Sequence, residues 1–226
     1  MLLHHRALML LGGIALFLFS IAPLTGQTNY SQRKATRNYS VGVGVAGGAS
    51  MILSPPDGWK VGPVFAARFG VDASLPVSQT VTPMLSLGLD NRGTELHVEN
   101  NSDAYTITKT RYFYLTPGIA FSAFYVGLNI GLPMGGATEI AGGTSVDFSD
   151  ATKDKMLTVL EPRIGAIIPV VDEEIGWLGI IFSGGYNLNP IFDGQQDLPD
   201  NGGNFQSVSA HLGLTWQFAI PNTGLK

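Results

Sequence analysis

Apolar and polar residues alternate strictly near the carboxyl end of the chain, from Phe205 to Phe218. Successive side chains of a β-strand point to opposite faces of the sheet, so this segment has one apolar face and one small or polar face. The apolar face consists of Val208, Ala210, Leu212, Leu214, Trp216 and Phe218. An apolar face that ends in aromatic residues indicates a transmembrane β-strand, although an edge strand of a soluble sandwich also alternates.

Seven earlier segments repeat this two-residue period and are predicted to be strands as well. They lie near residues 38–52, 60–73, 79–90, 105–120, 124–134, 156–170 and 176–188. An even number of strands closes a sheet on itself and leaves no unpaired edge, which hydrocarbon requires. The sequence therefore predicts an all-β fold, a single eight-stranded antiparallel up-and-down transmembrane β-barrel over residues 38–218.

The predicted connections between these strands alternate in length along the chain. Short turns are predicted near residues 75–76, 122 and 172–175, and long polar loops at residues 91–104, 135–154 and 189–204. The connection at residues 55–58 is a short exception. Short turns on one rim and long loops on the other are typical of outer-membrane barrels, whose long loops lie outside the cell.

Proline positions test the predicted strands, because proline removes one hydrogen bond from a β-ladder. Five prolines fall near predicted strand ends, namely Pro63, Pro83, Pro117, Pro133 and Pro169. Pro162 falls in the middle of a predicted strand, and there we expect either a β-bulge or a different register.

The first 26 residues have the organisation of a secretory signal peptide. A weakly basic start that includes Arg6 precedes an apolar run from Ala7 to Ala22, and small and polar residues follow. This run is shorter than the about 20 residues that a membrane helix needs, although a retained anchor is the alternative. Residues 27–37 are predicted to be a polar lead-in, and residues 219–226 a short tail.

Composition excludes several classes of function. The chain has no cysteine, which rules out a disulfide framework and a thiolate metal site. Its formal net charge of -4 offers no basic field for nucleic acid. No segment after the signal peptide is apolar for long enough to form a membrane helix, so a membrane protein of this sequence must cross with strands.

The inward faces of the predicted strands carry polar and charged side chains. We predict an interior polar network of Arg68, Asp72, Asn129, Glu161, Arg163, Asn187, His211 and Gln217. The two arginines of this set balance its two acids, and buried charges must be paired because an isolated one is very costly. The lumen of an eight-stranded barrel is just wide enough for side chains to fill it. The favoured interpretation is therefore a structural plug, with a polar passage or a ligand site as the alternatives.

The chain resembles the small outer-membrane β-barrel domain family, the PorT-like group. The resemblance covers about residues 39–218 and is strongest over Tyr112 to Ile119 and Phe124 to Leu132. It implies a bacterial outer-membrane location and no particular reaction. It also implies that Phe218 is the signal read by the barrel assembly machinery, although residues 219–226 follow it here.

Few residues are available for chemistry. After the signal peptide, only His97 and His211 remain as histidines. His97 is predicted to lie in a solvated polar loop, and His211 lies two residues from Ser209 on one strand, which does not make a catalytic triad. The histidine spacing does not fit a metal site either. We predict no catalytic residue, no metal and no cofactor.

The sequence thus predicts a non-enzymatic outer-membrane barrel with a structural, surface-contact or narrow small-solute passage role. Its expected partners are outer-membrane lipid and the barrel assembly machinery, with no nucleic acid and with loop partners that the sequence does not specify. Two alternatives stay open: a lipid-modifying outer-membrane barrel enzyme, and a secreted lipocalin-like ligand-binding barrel. In the lipocalin-like case the apolar residues would line the lumen instead of facing lipid.

Overall fold

A computed structural model describes residues 39–53, 55–78, 80–141, 143–173, 175–193 and 206–220 of the protein. The predicted signal peptide, the lead-in and residues 221–226 of the predicted tail lie outside the described residues. The elements are β1 Tyr39–Ile52, β2 Trp59–Ser74, β3 Val81–Val98, β4 Asn101–Phe121, β5 Phe124–Ile140, β6 Thr144–Asp147, α1 Asp150–Lys153, β7 Val159–Glu173, β8 Gly176–Tyr186 and β9 Ser207–Ile220. Across these ranges, no helix has the length and apolar character needed to cross a membrane.

Eight of these strands close into a ring. Each long strand pairs antiparallel with the next long strand along the chain, and β9 pairs with β1 from Tyr39↔Ile220 to Ile52↔Ser207. The short strand β6 folds back on the far end of β5, from Ile140↔Thr144 to Ala137↔Asp147, and is not part of the ring. The prediction of an eight-stranded antiparallel up-and-down barrel is confirmed.

The apolar residues of the ring face outward. Leu85, Leu128, Ile164 and Leu212 are 42%, 39%, 41% and 55% exposed, whereas the buried positions inside are largely polar or charged. A soluble barrel or sandwich would bury the apolar side chains instead. The secreted lipocalin-like alternative is therefore wrong, and the outer surface is one that hydrocarbon solvates.

The outward apolar face gives a direct test of the membrane contact. Leu128 lies on β5 between the exposed residues Val126 and Leu132, and we expect Leu128→Arg to destabilise the folded barrel by about 2–4 kcal/mol. Urea titration of folding into lipid vesicles, followed by heat-modifiable gel mobility, measures the change. Asn100→Arg, in the turn between β3 and β4, is the control and should leave the urea midpoint unchanged. Equal stability of the two variants would contradict a lipid-facing Leu128.

The two rims of the barrel differ in their connections. The turn rim carries the connections at residues 75–80, 122–123 and 174–175, together with the start of β1 and the end of β9. The loop rim carries the connection between β1 and β2, the connection at residues 99–100, and the ends of β5 and β8. Residues 194–204 of the predicted loop after β8 lie outside the described residues. The predicted long loop at residues 91–104 is wrong, because β3 and β4 stay paired there as far as Val98↔Asn101. The predicted loop at residues 135–154 is also partly wrong, since β5 continues to Ile140 and β6 and α1 follow.

The extra length forms an extended wall on one side of the loop rim. This extended wall comprises residues 91–98 of β3, 101–110 of β4 and 135–140 of β5. Its sequence is largely polar on the outer face as well as on the inner face, which suits a sheet beyond the hydrocarbon of the membrane. Several β-branched residues, including Thr94, Thr106 and Thr108, favour strand over loop.

Pro162 causes no β-bulge. It lies opposite Leu128 in an unshifted stretch of the β5–β7 ladder. The backbone of Leu160, two residues earlier, points toward the β8 side, where its oxygen accepts from Leu188 N at 2.8 Å. Pro162 therefore also points its nitrogen to that side, just outside the β7–β8 ladder, which begins at Arg163↔Gly185. The irregularity in β7 lies instead between Pro169 and Val171.

Candidate functional site

Buried ions cross the lumen near the middle of the barrel. Glu161 Oε2 accepts hydrogen bonds from Arg92 Nη2 at 2.6 Å and from Arg163 Nη1 at 2.8 Å. Arg92 also donates to Asp90 Oδ2, from Nε at 3.0 Å and from Nη2 at 2.6 Å. The side chains of these four residues are at most 4% exposed. Two cations and two anions therefore compensate one another out of contact with water, as buried charges must.

Neutral groups add hydrogen bonds to this network. Ser209 Oγ donates to Glu161 Oε1 at 2.7 Å, and Asn129 Nδ2 donates to Glu161 Oε2 at 3.0 Å. Arg163 Nη2 donates to Ser183 Oγ at 2.9 Å and lies 2.9 Å from His211 Nδ1. Because a guanidinium has no acceptor, His211 Nδ1 is the acceptor in that contact. Every carboxylate oxygen of Glu161 is thus bonded.

Arg68 extends the network toward the turn rim. Its Nη2 donates to Thr116 Oγ1 at 2.7 Å, and Thr116 in turn donates to Asn129 Oδ1 at 2.8 Å. The guanidinium carbon lies 3.5 Å from the centre of the Tyr114 ring, a cation–π contact. Arg68 Nη1 is 3.8 Å from Asp90 Oδ2, so its charge is shared with the central ions.

The alternation of the strands brings these residues together. Asp90 and Arg92 occupy successive inward positions on β3, and Glu161 and Arg163 do the same on β7. Long side chains from the two strands can meet because glycine on a neighbouring strand leaves room. A Cβ atom on Gly185, next to Arg163 in the β7–β8 ladder, would overlap the carboxylate of Glu161.

The predicted interior set is inside the barrel, but it is divided. Arg68, Asn129, Glu161, Arg163 and His211 belong to the central network, to which Asp90 and Arg92 must be added. The other three lie elsewhere. Asn187 Oδ1 accepts from Leu160 N at 3.2 Å near the loop rim, Gln217 Nε2 donates to Thr215 Oγ1 at 2.9 Å near the turn rim, and Asp72 lines a cavity.

The two-residue alternation of β3 indicates that Asp90 and Arg92 face inward, although the polar composition around them favours a loop. Both continue the inward phase of β3 that starts at Ser86 and Gly88. The polar residues that follow Arg92 favour a loop, although the two-residue period continues through Thr94. The central network therefore contains the ion pair of Asp90 and Arg92, which the predicted set lacks.

A cavity of about 70 Å³ lies on the turn-rim side of the central ions. Arg68 and Thr116 separate it from the network. The remaining lining is mixed in character and includes Asp72, Met84, Ser86, Tyr125, Ile167, Ile181, Thr215 and Gln217. A space of this size holds a few water molecules, not a drug-sized ligand.

An apolar cap covers the network on its loop-rim side. Tyr112, Phe148, Met156 and Val159 form a buried cluster, and Phe192 packs against it. Phe148 comes from the segment between β6 and α1, and its ring centre lies 5.7 Å from that of Phe192. The lumen is therefore filled at two levels, by the cap and by the ions below it.

Histidine and serine do not form a nucleophile–base pair in the described interior. Ser209 donates to Glu161, and His211 Nδ1 faces Arg163. His97 lies on β3 and not in the predicted loop, and its Nε2 is 3.1 Å from Glu95 Oε1. Phe218 is an outward residue near the turn rim, 47% exposed, and β9 continues past it to Ile220.

A closed ring of eight antiparallel strands with an apolar exterior and an ion-paired interior defines an outer-membrane β-barrel protein. The chain is similar in structure to three small barrels of this class. Ail of Yersinia pestis, solved with the heparin analogue sucrose octasulfate, is 15% identical with a TM-score of 0.41 over 80% of this chain and 98% of that one. Neisserial surface protein A is 8% identical with a TM-score of 0.38 over 80% and 97%. OprG from Pseudomonas aeruginosa is 11% identical with a TM-score of 0.36 over 82% and 97%.

No protein-family model matches the sequence, and no curated protein matches it.

Proposed function

We propose that this protein is a closed, non-enzymatic barrel of the outer membrane that acts at the cell surface through its extended wall. One observation carries the proposal: the lumen is filled by the ion network and the apolar cap, whereas the extended wall continues beyond the apolar band. A protein whose inside is closed and whose rim is enlarged has its accessible surface on the outside.

The filled lumen argues against the passage of solutes. A solute would have to part Glu161 from Arg92 and Arg163, which are held at 2.6 and 2.8 Å. Separating buried charges leaves each one uncompensated, at a cost of several kcal/mol per ion. The apolar cap around Phe148 would have to move as well.

The arrangement of polar groups argues against catalysis in the lumen. A serine nucleophile needs a base within hydrogen-bond reach. Ser209 is instead bonded to the anion Glu161, and the Nδ1 atom of His211 accepts from Arg163. These contacts give the interior a structural role, and they support the non-enzymatic proposal over a lipid-modifying enzyme.

The proposed orientation places the loop rim outside the cell and the turn rim in the periplasm, as in other outer-membrane barrels. We also propose membership of the PorT-like group, on the strand pattern of residues 112–119 and 124–132. Recognition of Phe218 by the barrel assembly machinery belongs to the same proposal. Its support is that Phe218 is exposed and packs against the ring of Trp216, with ring centres 6.0 Å apart.

Two measurements test the proposed function. The purified full-length protein in a planar bilayer should show no stepwise ion conductance, because the ions and the cap fill the lumen. An epitope inserted at Asn100, at the tip of the extended wall, should bind antibody on intact cells, while the same epitope at Ser122 should bind only after the outer membrane is opened. Steady conductance would contradict the closed lumen, and labelling only at Ser122 would reverse the orientation.

A further inference from the structure

Three basic side chains project from the outer wall where the apolar band ends. Lys109 and Arg111 are the next two outward residues of β4 from Phe113 toward the loop rim, and Lys153 lies on α1. Arg111 is exposed, and the side chains of Lys109 and Lys153 are 53% and 45% exposed. These residues occupy the level at which the head groups of membrane lipids begin.

Arg111 and Lys153 both adjoin Gly135. Arg111 lies opposite Gly135 in the β4–β5 ladder, and directly opposite residues share a face of the sheet. A Cβ atom on Gly135 would lie 3.5 Å from Lys153 Cε, so the methylenes of Lys153 pass over that glycine. Lys153 therefore reaches the residue that is paired with Arg111.

The charges at this area are incompletely compensated. Lys109 pairs with Glu139 at 2.8 Å, and Lys153 pairs with Asp150 at 3.2 Å. Within the described ranges Arg111 has no salt-bridge partner. The planar guanidinium of arginine suits phosphate, which it can bind through two parallel hydrogen bonds.

Apolar side chains directly below indicate that the anion belongs to a lipid. Phe113, Leu132 and Met134 are 39%, 51% and 53% exposed on the same side of the barrel. Met134 is the extra residue of the irregularity at which Arg111 pairs with Gly135 and Tyr112 pairs with Pro133. A free anion would use only the basic residues, whereas a lipid would use the basic and the apolar residues together.

We propose that a phosphate-bearing lipid of the outer leaflet binds at this position. Its phosphate lies between Arg111 and Lys153, and its acyl chain follows Phe113, Leu132 and Met134. The site goes beyond the proposed surface role. Its assignment to the outer leaflet rests on the proposed orientation of the barrel, because that orientation decides which lipids reach Arg111.

The test measures binding of diphosphoryl lipid A to the full-length protein in a neutral detergent by native mass spectrometry. In the double variant Arg111→Gln, Lys153→Gln, the dissociation constant should rise by roughly tenfold or more, because two charge-assisted contacts to phosphate are lost. The double variant Lys60→Gln, Lys155→Gln removes the same charge from other exposed positions and should keep wild-type affinity. Heat-modifiable gel mobility confirms that both variants fold.

Three outcomes would overturn the site. They are equal affinity in both double variants, equal affinity for dephosphorylated lipid A, and equally tight binding of inorganic phosphate. None of these outcomes affects the conductance and epitope experiments. A reversed epitope pattern would refute the proposed orientation without changing the titration, so the two proposals fail separately.

Discussion

Glu161→Ala is expected to destabilise the folded barrel by about 3–5 kcal/mol, because it removes one side of a buried ion pair. The carboxylate of Glu161 accepts from Arg92, Arg163, Asn129 and Ser209. Its removal leaves the guanidinium of Arg163 without a bonded anion in the lumen. Urea-dependent unfolding from lipid vesicles, read by heat-modifiable gel mobility, measures the loss.

Two further variants separate the buried charge from a general effect of substitution. Glu139→Ala removes a carboxylate from the exposed pair with Lys109 and should change stability by less than about 1 kcal/mol. The double variant Glu161→Leu, Arg163→Met removes both partners and leaves Arg92 with Asp90. It should recover part of the stability that Glu161→Ala loses, since no unpaired charge remains at residue 163. A double variant no more stable than Glu161→Ala would contradict the role given to the ions.

Gly48→Ala is expected to disrupt the seam at which β1 and β9 close the ring. A Cβ atom on Gly48 would overlap the carbonyl oxygen of Ala210 in the backbone of β9. Backbone in a paired strand cannot move aside without breaking its ladder, so we expect a loss of about 3 kcal/mol or more. The folded fraction after dilution from urea into vesicles, read by gel mobility, measures it.

Gly47→Ala provides a matched control on the same strand. A Cβ atom there would lie 3.2 Å from the ring of Phe65, which is 73% exposed and can turn away into lipid. Gly47→Ala should therefore fold to nearly the wild-type extent. If Gly47→Ala and Gly48→Ala fold equally well, the close approach of β1 and β9 does not limit closure.

The ring itself could be predicted because lipid contacts one face of every strand. A leucine that touches acyl chains and a glycine that faces the lumen must alternate, and this gives Leu85 and Leu128 their place from sequence alone. The same alternation placed Glu161, Arg163 and His211 inside. The alternation of a strand shows which face a residue lies on but not its position along the barrel axis. It therefore does not show that Asn187 and Gln217 lie apart from the central ions.

The extended wall could not be predicted for a related reason. Beyond the membrane the outer face of a sheet no longer meets lipid, so the contrast between apolar outward and polar inward residues disappears while the strand continues. Residues 91–104 therefore have the composition of a loop, although β3 and β4 are paired there. For the same reason the interior set predicted from the sequence omits Arg92. The apolar cap was missed because Phe148 and Phe192 come from separate connections, and nothing in their local sequence shows that they meet.

The pairing of Tyr39 with Ile220 has a consequence for how the molecule is made. Nearly the whole chain separates these two residues. A partly synthesised chain therefore has two unpaired edge strands and an exposed apolar surface. Closure must wait for β9, the last strand of the ring in chain order, and contacts between such distant positions form slowly. This topology therefore requires that the unclosed chain be kept from aggregating with other copies until β9 pairs with β1.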